Sequence, residues 1–184
     1  MKIIKYTETD QYITFFINDV RSQDRLIKVV NLIKKICDGQ NTYFTIYMVD
    51  GIHPEYQNEV GEYLNNLENF DILRKDKHAE FPKNLLSANG QFNESEDIVN
   101  ILPLIADYFL ETTVLPSKLS YEDLLSLDEN RIMKGPGYYI EEGFSDILFA
   151  FADSDDFLVC FNKEKYDEKV LIDLLIKNLT INIS

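Results

Sequence analysis

The sequence predicts an α+β fold, an antiparallel or mixed sheet built from two β-β-α units plus a middle strand and covered by helices. Two observations carry this expectation. YTETDQYITFFINDVRSQDRLIKVVNLIKKI near the start and FADSDDFLVCFNKEKYDEKVLIDLLIKNL near the end share one order: strand, short acidic turn, strand, charged loop, apolar helix. A hairpin followed by a helix is a common way to cover one face of an antiparallel sheet. The composition, 45% hydrophobic and 27% charged over 184 residues with seven glycines and five prolines, is that of an ordinary folded chain with one well-buried core. The expected organisation is a single domain over 1–184, with room for a helical lobe at about 92–130.

Each element has its own signal. KIIKY and YITFFI, β-branched and aromatic, flank the polar TETDQ and read as an opening hairpin. Ser22 or Asp24 can cap the next element, where Leu26, Val29, Val30, Ile33, Ile36 and Cys37 recur at helical spacing and Gly39 suits the residue past the helix end. TYFTIYMV, residues 42–49, is the middle strand. Pro54 fits a first helical turn ahead of Tyr56, Val60, Tyr63, Leu64 and Leu67. From Phe70 to Gln91 the pattern dissolves into a basic cluster, a proline and the turn-like pair Asn89-Gly90, which reads as a loop or lobe boundary.

Asn93 and Glu96 resemble a capping box before the stripe Ile98, Ile101, Leu102, Ile105, Tyr108 and Phe109, in which Pro103 should kink the helix or mark a fresh start. SYEDLLSL predicts a short helix capped by Ser120, with Asp123 at its third position. KGPGYYIEEG reads as a glycine-bounded turn and a short extended piece. The apolar runs ILFAFA and FLVCF on either side of DSDD read as a second hairpin, and a final helix from Tyr166 to Asn178 packs Leu171, Ile172, Leu174 and Leu175 inward. The tail LTINI is a candidate edge strand.

The formal charge is −14, and it is uneven: residues 1–80 hold 13 acids against 10 bases, residues 81–184 hold 19 against 8. No Lys or Arg occurs between Lys134 and Lys163, a stretch that contains Glu141, Glu142, Asp146, Asp153, Asp155 and Asp156. Such a field repels nucleic-acid phosphates and anionic lipid and attracts cationic partners, so direct nucleic-acid binding and membrane binding are not expected. The two cysteines, Cys37 and Cys160, lie far apart in apolar contexts, which predicts buried thiols and a reducing compartment. With an N-terminal apolar run too short for a signal peptide and no stretch of membrane-span length, the expectation is a cytoplasmic protein.

The cluster Asp153, Asp155 and Asp156 can be tested against metal and phosphate motifs by spacing. An EF-hand loop starting at Asp153 would put Phe157 at a ligand position and Leu158 where glycine must turn. A haloacid-dehalogenase-type phosphatase motif would need Thr where Phe157 stands, and a longer chain afterwards. The favoured reading is a solvated hairpin tip, where Asp and Ser bond their own backbone. There is no P-loop, GxGxxG, GxSxG or HExxH. His53 in DGIHPEY and His78 in RKDKH have no identified nucleophile, so no catalytic, metal or cofactor residues are assigned.

What remains is aromatic anchors beside negative charge: Tyr138 and Tyr139 next to Glu141 and Glu142, and Phe157 next to Asp153, Asp155 and Asp156. Tyrosine is enriched where proteins bind proteins, and complementary charge speeds encounter. The expected function is an acidic binding protein that neutralises a basic protein, as an immunity protein blocks a nuclease toxin or a nucleic-acid mimic occupies a basic groove. That likeness is in size and charge alone. The alternatives are a magnesium-dependent hydrolase using the hairpin carboxylates, and a non-catalytic subunit or adaptor.

Overall fold

In the computed structural model, residues 2–18, 20, 22–49, 63–64, 66–77, 84–108, 111–128, 137–151 and 156–179 are described. Their strands are β1 (Ile3–Glu8), β2 (Tyr12–Ile17), β3 (Thr42–Val49), β4 (Phe70–Lys77), β5 (Asn84–Phe92), β6 (Glu111–Pro116), β7 (Ile147–Phe151) and β8 (Phe157–Asn162). The helices are α1 (Gln23–Cys37), α2 (Ser95–Tyr108), α3 (Tyr121–Asp128), α4 (Gly137–Glu141) and α5 (Glu168–Leu179). All eight strands join one sheet in the order β1-β2-β8-β7-β6-β3-β5-β4, and every neighbouring pair is antiparallel. The fold is α+β.

The opening hairpin closes through Thr9, whose hydroxyl accepts the Gln11 and Tyr12 amides at 3.2 and 3.1 Å. This is the local bonding by which Thr favours turns. A bulge between Lys5 and Thr7 inserts Tyr6 into β1, the kind of irregularity that re-aims a side chain at a sheet edge. The second hairpin pairs β7 with β8, from Phe151↔Phe157 to Ile147↔Phe161. Of the acidic stretch between them, only Asp156 is among the described residues. The two hairpins meet at their second strands, where β2 and β8 pair from Tyr12↔Asn162 to Ile17↔Phe157.

Because side chains alternate across a strand, the register sorts them onto two faces. On the first face, Phe15, Val159, Phe149, Val114 and Phe44 form one continuous row across five strands, each at most 3% exposed. The row continues through Gly90 to Phe70. Helices α1, α2 and α5 cover this face with Val29, Val30, Ile33, Ile98, Leu102, Leu171 and Leu175. Helix α1 lies in the middle, touching both α2 and α5. It ends as expected, with Gly39 at φ 73°, the left-handed conformation that glycine adopts without a Cβ penalty. At the start of α5, the Asp167 carboxylate accepts the Val170 amide at 2.9 Å.

The second face is covered by the short helices α3 and α4, through a smaller cluster of Tyr43, Leu115, Tyr121, Leu124, Tyr139, Ile140, Leu148 and Cys160. Helix α3 is capped as its sequence predicts: the Asp123 amide donates to Ser120 Oγ at 3.2 Å, and that hydroxyl donates to the Asp123 carboxylate at 2.8 Å.

Several expectations are corrected. The stretch 70–91, read as a loop, supplies β4 and β5, and Asn89-Gly90 lies inside a strand instead of at a turn. KGPGYYIEEG contains helix α4 where an extended piece was expected. The middle of the chain adds β4, β5 and β6 to the single strand anticipated there. The span 92–130 holds helices α2 and α3 and also β6, which sits inside the sheet between β7 and β3. The start of α2 is closed one residue later than the expected capping box: the Asp97 carboxylate accepts the Glu94 amide at 3.0 Å, while Asn93 accepts the Glu68 amide at 3.1 Å. Helix α2 runs on through Pro103. Most of the helix anticipated after Pro54 and the strand anticipated at LTINI lie outside the described residues, although Tyr63 and Leu64 are helical.

Candidate functional site

A row on the second face crosses the whole sheet and changes character midway. From the β1 edge it runs through Ile4, Phe16, Leu158 and Ala150, then becomes polar at Thr113, Thr45, Asn89 and Asp71. Helix α3 spans the polar half: the Tyr121 hydroxyl donates to the Asn89 carbonyl at 2.9 Å and lies 3.1 Å from the Asp71 carboxylate. Burial, and then the Asp71 charge, hold that phenol well above the ordinary tyrosine range. Tyr43 anchors the approach to α3 by donating to the Leu119 carbonyl at 2.7 Å.

The apolar half is open at its β1 end, whereas Ala150 on β7 is buried. Ile4 is 50% and Tyr6 69% exposed, and the Tyr6 ring lies 6.4 Å from that of half-buried Phe16. Helix α4 stands over the adjoining part of β2 and β8 and is held in place from its C-terminal side. The Phe144 carbonyl accepts from Ser117 Oγ at 2.9 Å, and Ser145 Oγ is shared between the carbonyls of Pro116 and Ile147. Between α4 and the strands lies an open cavity of about 360 Å³. Thr7, Thr14 and Leu158 come from the strands, Tyr6 and Tyr12 from the opening hairpin, and Gly137, Tyr138 and Glu141 from α4.

Gly137 matters for this geometry: a Cβ there would stand 2.3 Å from Cζ of Tyr12, so only glycine lets the phenol lie against the helix backbone. Burial, and then the negative charge of Glu141, raise the Tyr12 hydroxyl above the usual tyrosine range, which places the carboxylate's field at this ring. Lys5, Lys163 and Lys118 are engaged in ion pairs. Lys5 pairs with Glu8 and Glu168 at 3.1 and 2.9 Å, Lys163 with Glu8 at 2.8 Å, and Lys118 with Asp146 at 2.7 Å. Among the described residues no cation pairs with Glu141 or Glu142, and both are exposed.

The residues singled out from sequence are distributed as follows. Tyr138 is half-buried and lines the cavity, Glu141 sits at its rim, and Glu142 is exposed one residue beyond α4. Tyr139, 6% exposed, packs into the smaller core cluster. Phe157 is fully buried in the main core, stacked on Phe149 at 6.0 Å. Asp156 is half-buried just before β8, while Asp153 and Asp155 lie outside the described residues, as do His53 and His78. Sequence reasoning missed Ile4, Tyr6, Tyr12, Phe16 and Leu158. For Tyr12 and Phe16 the signal was the alternation in YITFFI, whose Tyr12, Thr14 and Phe16 fall on the face opposite Ile13, Phe15 and Ile17.

Both cysteines are buried and unpaired. Burial pushes the Cys37 thiol up to about 12 and the Cys160 thiol up to about 11, which makes both poor nucleophiles at neutral pH. Among the described residues, no three His, Cys, Asp or Glu side chains come together as metal ligands, and no helix is long and apolar enough to cross a membrane. No protein-family model, curated protein or solved structure matches the chain.

Proposed function

We propose that this is an acidic binding protein that neutralises a basic protein in the cytoplasm, and that the partner docks on the exposed β1 end of the second sheet face. One observation carries the reading. The exposed Tyr6, on the same edge as exposed Ile4 and half-buried Phe16, shares a cavity lining with Glu141, and among the described residues no cation pairs with Glu141 or Glu142 on a chain of net charge −14. Apolar and aromatic anchors rimmed by charge are the usual anatomy of a protein-binding surface. The sign of the charge selects a cationic partner and disfavours nucleic acid and anionic lipid. Blocking by surface occupation, as an immunity protein blocks a nuclease toxin, needs no catalytic group and matches this arrangement.

The test is capture from the source organism's lysate, followed by titration of the purified captured protein against the wild type and a Tyr6→Ser/Glu141→Gln/Glu142→Gln variant. The expected partner is basic; its affinity falls with salt and drops about tenfold or more with the variant. Changing Asp153, Asp155 and Asp156 together to Asn slows its association if the hairpin tip steers the encounter. An acidic partner, or binding indifferent to both salt and the surface variant, refutes the proposal.

A further inference from the structure

We infer that the cavity beneath α4 receives a single cationic side chain, an alkylammonium or guanidinium group, with Tyr6, Tyr12 and Tyr138 as its walls and the Glu141 carboxylate as its counter-ion. The inference rests on the proposed docking of a basic protein and names the group that this protein inserts. Its first support is size. At about 360 Å³ the cavity is at the small end of ligand pockets, suited to one long side chain more than to a cofactor.

Chemistry narrows the occupant further. Three phenol rings present π-faces or edges to the space, and a cation within about 6 Å of a ring centroid is attracted by its quadrupole. Glu141 is the one charged group among the described lining residues, so an anion would meet repulsion with no cation among those residues to offset it. A purely apolar guest would strip water from that carboxylate without replacing its hydrogen bonds, which is unfavourable. A lysine or arginine side chain avoids both costs: its methylene stem lies along Leu158 and the rings while its charged head meets Glu141. The Thr7 and Thr14 hydroxyls, also in the lining, are acceptors for further N–H groups.

The experiment uses protein labelled in its tyrosine rings and follows their NMR signals during titration with butylammonium and methylguanidinium. Butanol and butyrate serve as neutral and anionic counterparts of the same reach. Tyr6, Tyr12 and Tyr138, identified through single Tyr→Phe variants, should shift saturably with either cation in the millimolar range and respond at least about fivefold more weakly to butanol. Glu141→Gln, at an exposed position with no ion pair among the described residues, should weaken the cations about fivefold and leave butanol unchanged. Butanol or butyrate binding as well as butylammonium, or no shift with either cation, overturns the inference. If a basic partner still binds in that event, the docking proposal stands and only the pocket assignment falls. Saturable cation shifts with no basic partner found would support the pocket and remove the docking proposal.

Discussion

Gly90→Ala is the sharpest probe of the register that builds this sheet. A Cβ at Gly90 would stand 2.2, 2.6 and 2.9 Å from Cζ, Cε1 and Cε2 of Phe44, well inside contact distance. The ring cannot swing aside easily. Phe44 is fully buried, with the Phe92 ring 4.8 Å and the Phe70 ring 6.3 Å away. Overpacking of this kind costs about 1–3 kcal/mol. The gain from replacing glycine inside a strand returns roughly 0.5–1 kcal/mol. The net expectation is a loss of about 1–2 kcal/mol, or a fall in Tm of about 2–8 °C for a chain of this size.

Urea denaturation of the wild type, Gly90→Ala, Phe44→Leu and the double variant measures it. Phe44→Leu alone should cost about 1–2 kcal/mol through the space it leaves. In the double variant the new methyl occupies part of that space, so the combined loss should fall short of the sum by at least about 0.5 kcal/mol. Gly90→Ala as stable as the wild type, or two changes that simply add, would show that Phe44 does not lie on Gly90 and that the β3–β5 register is wrong.

Stability should fall as pH rises above about 9, because both thiols keep their protons in the folded state, with values of about 12 for Cys37 and about 11 for Cys160, and release them near 9.0 when unfolded. The unfolded chain then binds fewer protons, so each thiol contributes a slope approaching about −1.4 kcal/mol per pH unit between its unfolded and folded values. Cys37→Ala and Cys160→Ala should each remove one share, and a flat profile from about pH 8 to about pH 10.5 would contradict the burial of both. Tyr121→Phe removes the hydroxyl that donates to the Asn89 carbonyl beside the Asp71 carboxylate and should cost about 1–3 kcal/mol in urea melts. Tyr6→Phe, at an exposed ring, should stay within about 0.5 kcal/mol; equal effects at the two positions would count against the Tyr121 contacts.

The elements that could be read from the chain are those whose pattern depends on one buried face. Helix α1 declares itself because Leu26, Val29, Val30, Ile33 and Cys37 recur at the helical period and are all buried. β7 and β8 are legible for the opposite reason: ILFAF is buried on both faces, so its apolar run is continuous. β4 is the converse case. FDILRKDK looks like loop because it forms the sheet edge, where charged residues are tolerated and guard against further pairing. Asn89-Gly90 imitates a turn for a reason the local sequence does not contain, since the glycine is required by the ring of a residue more than forty positions earlier. In KGPGYYIEEG, glycine and proline mask a single helical turn held in place by carbonyls outside it.

The candidate site divides along the same line. Composition alone determined its sign: an acidic second half and a basic gap from Lys134 to Lys163 do not depend on the fold. Tyr138, Glu141 and Glu142 could be nominated because they are neighbours in the chain. Whether a tyrosine faces solvent or core was not available, and adjacent Tyr138 and Tyr139 part company, one lining the cavity and the other buried. The cavity itself is a product of strand order. Only the pairing of β2 with β8 brings Tyr6 and Tyr12 of the first hairpin beside Leu158 of the last and under a helix beginning at Gly137. Hydrophobic periodicity reports which side of an element is buried, but the choice of neighbouring strand depends on contacts between residues far apart in the chain, and these exist only once the sheet has formed.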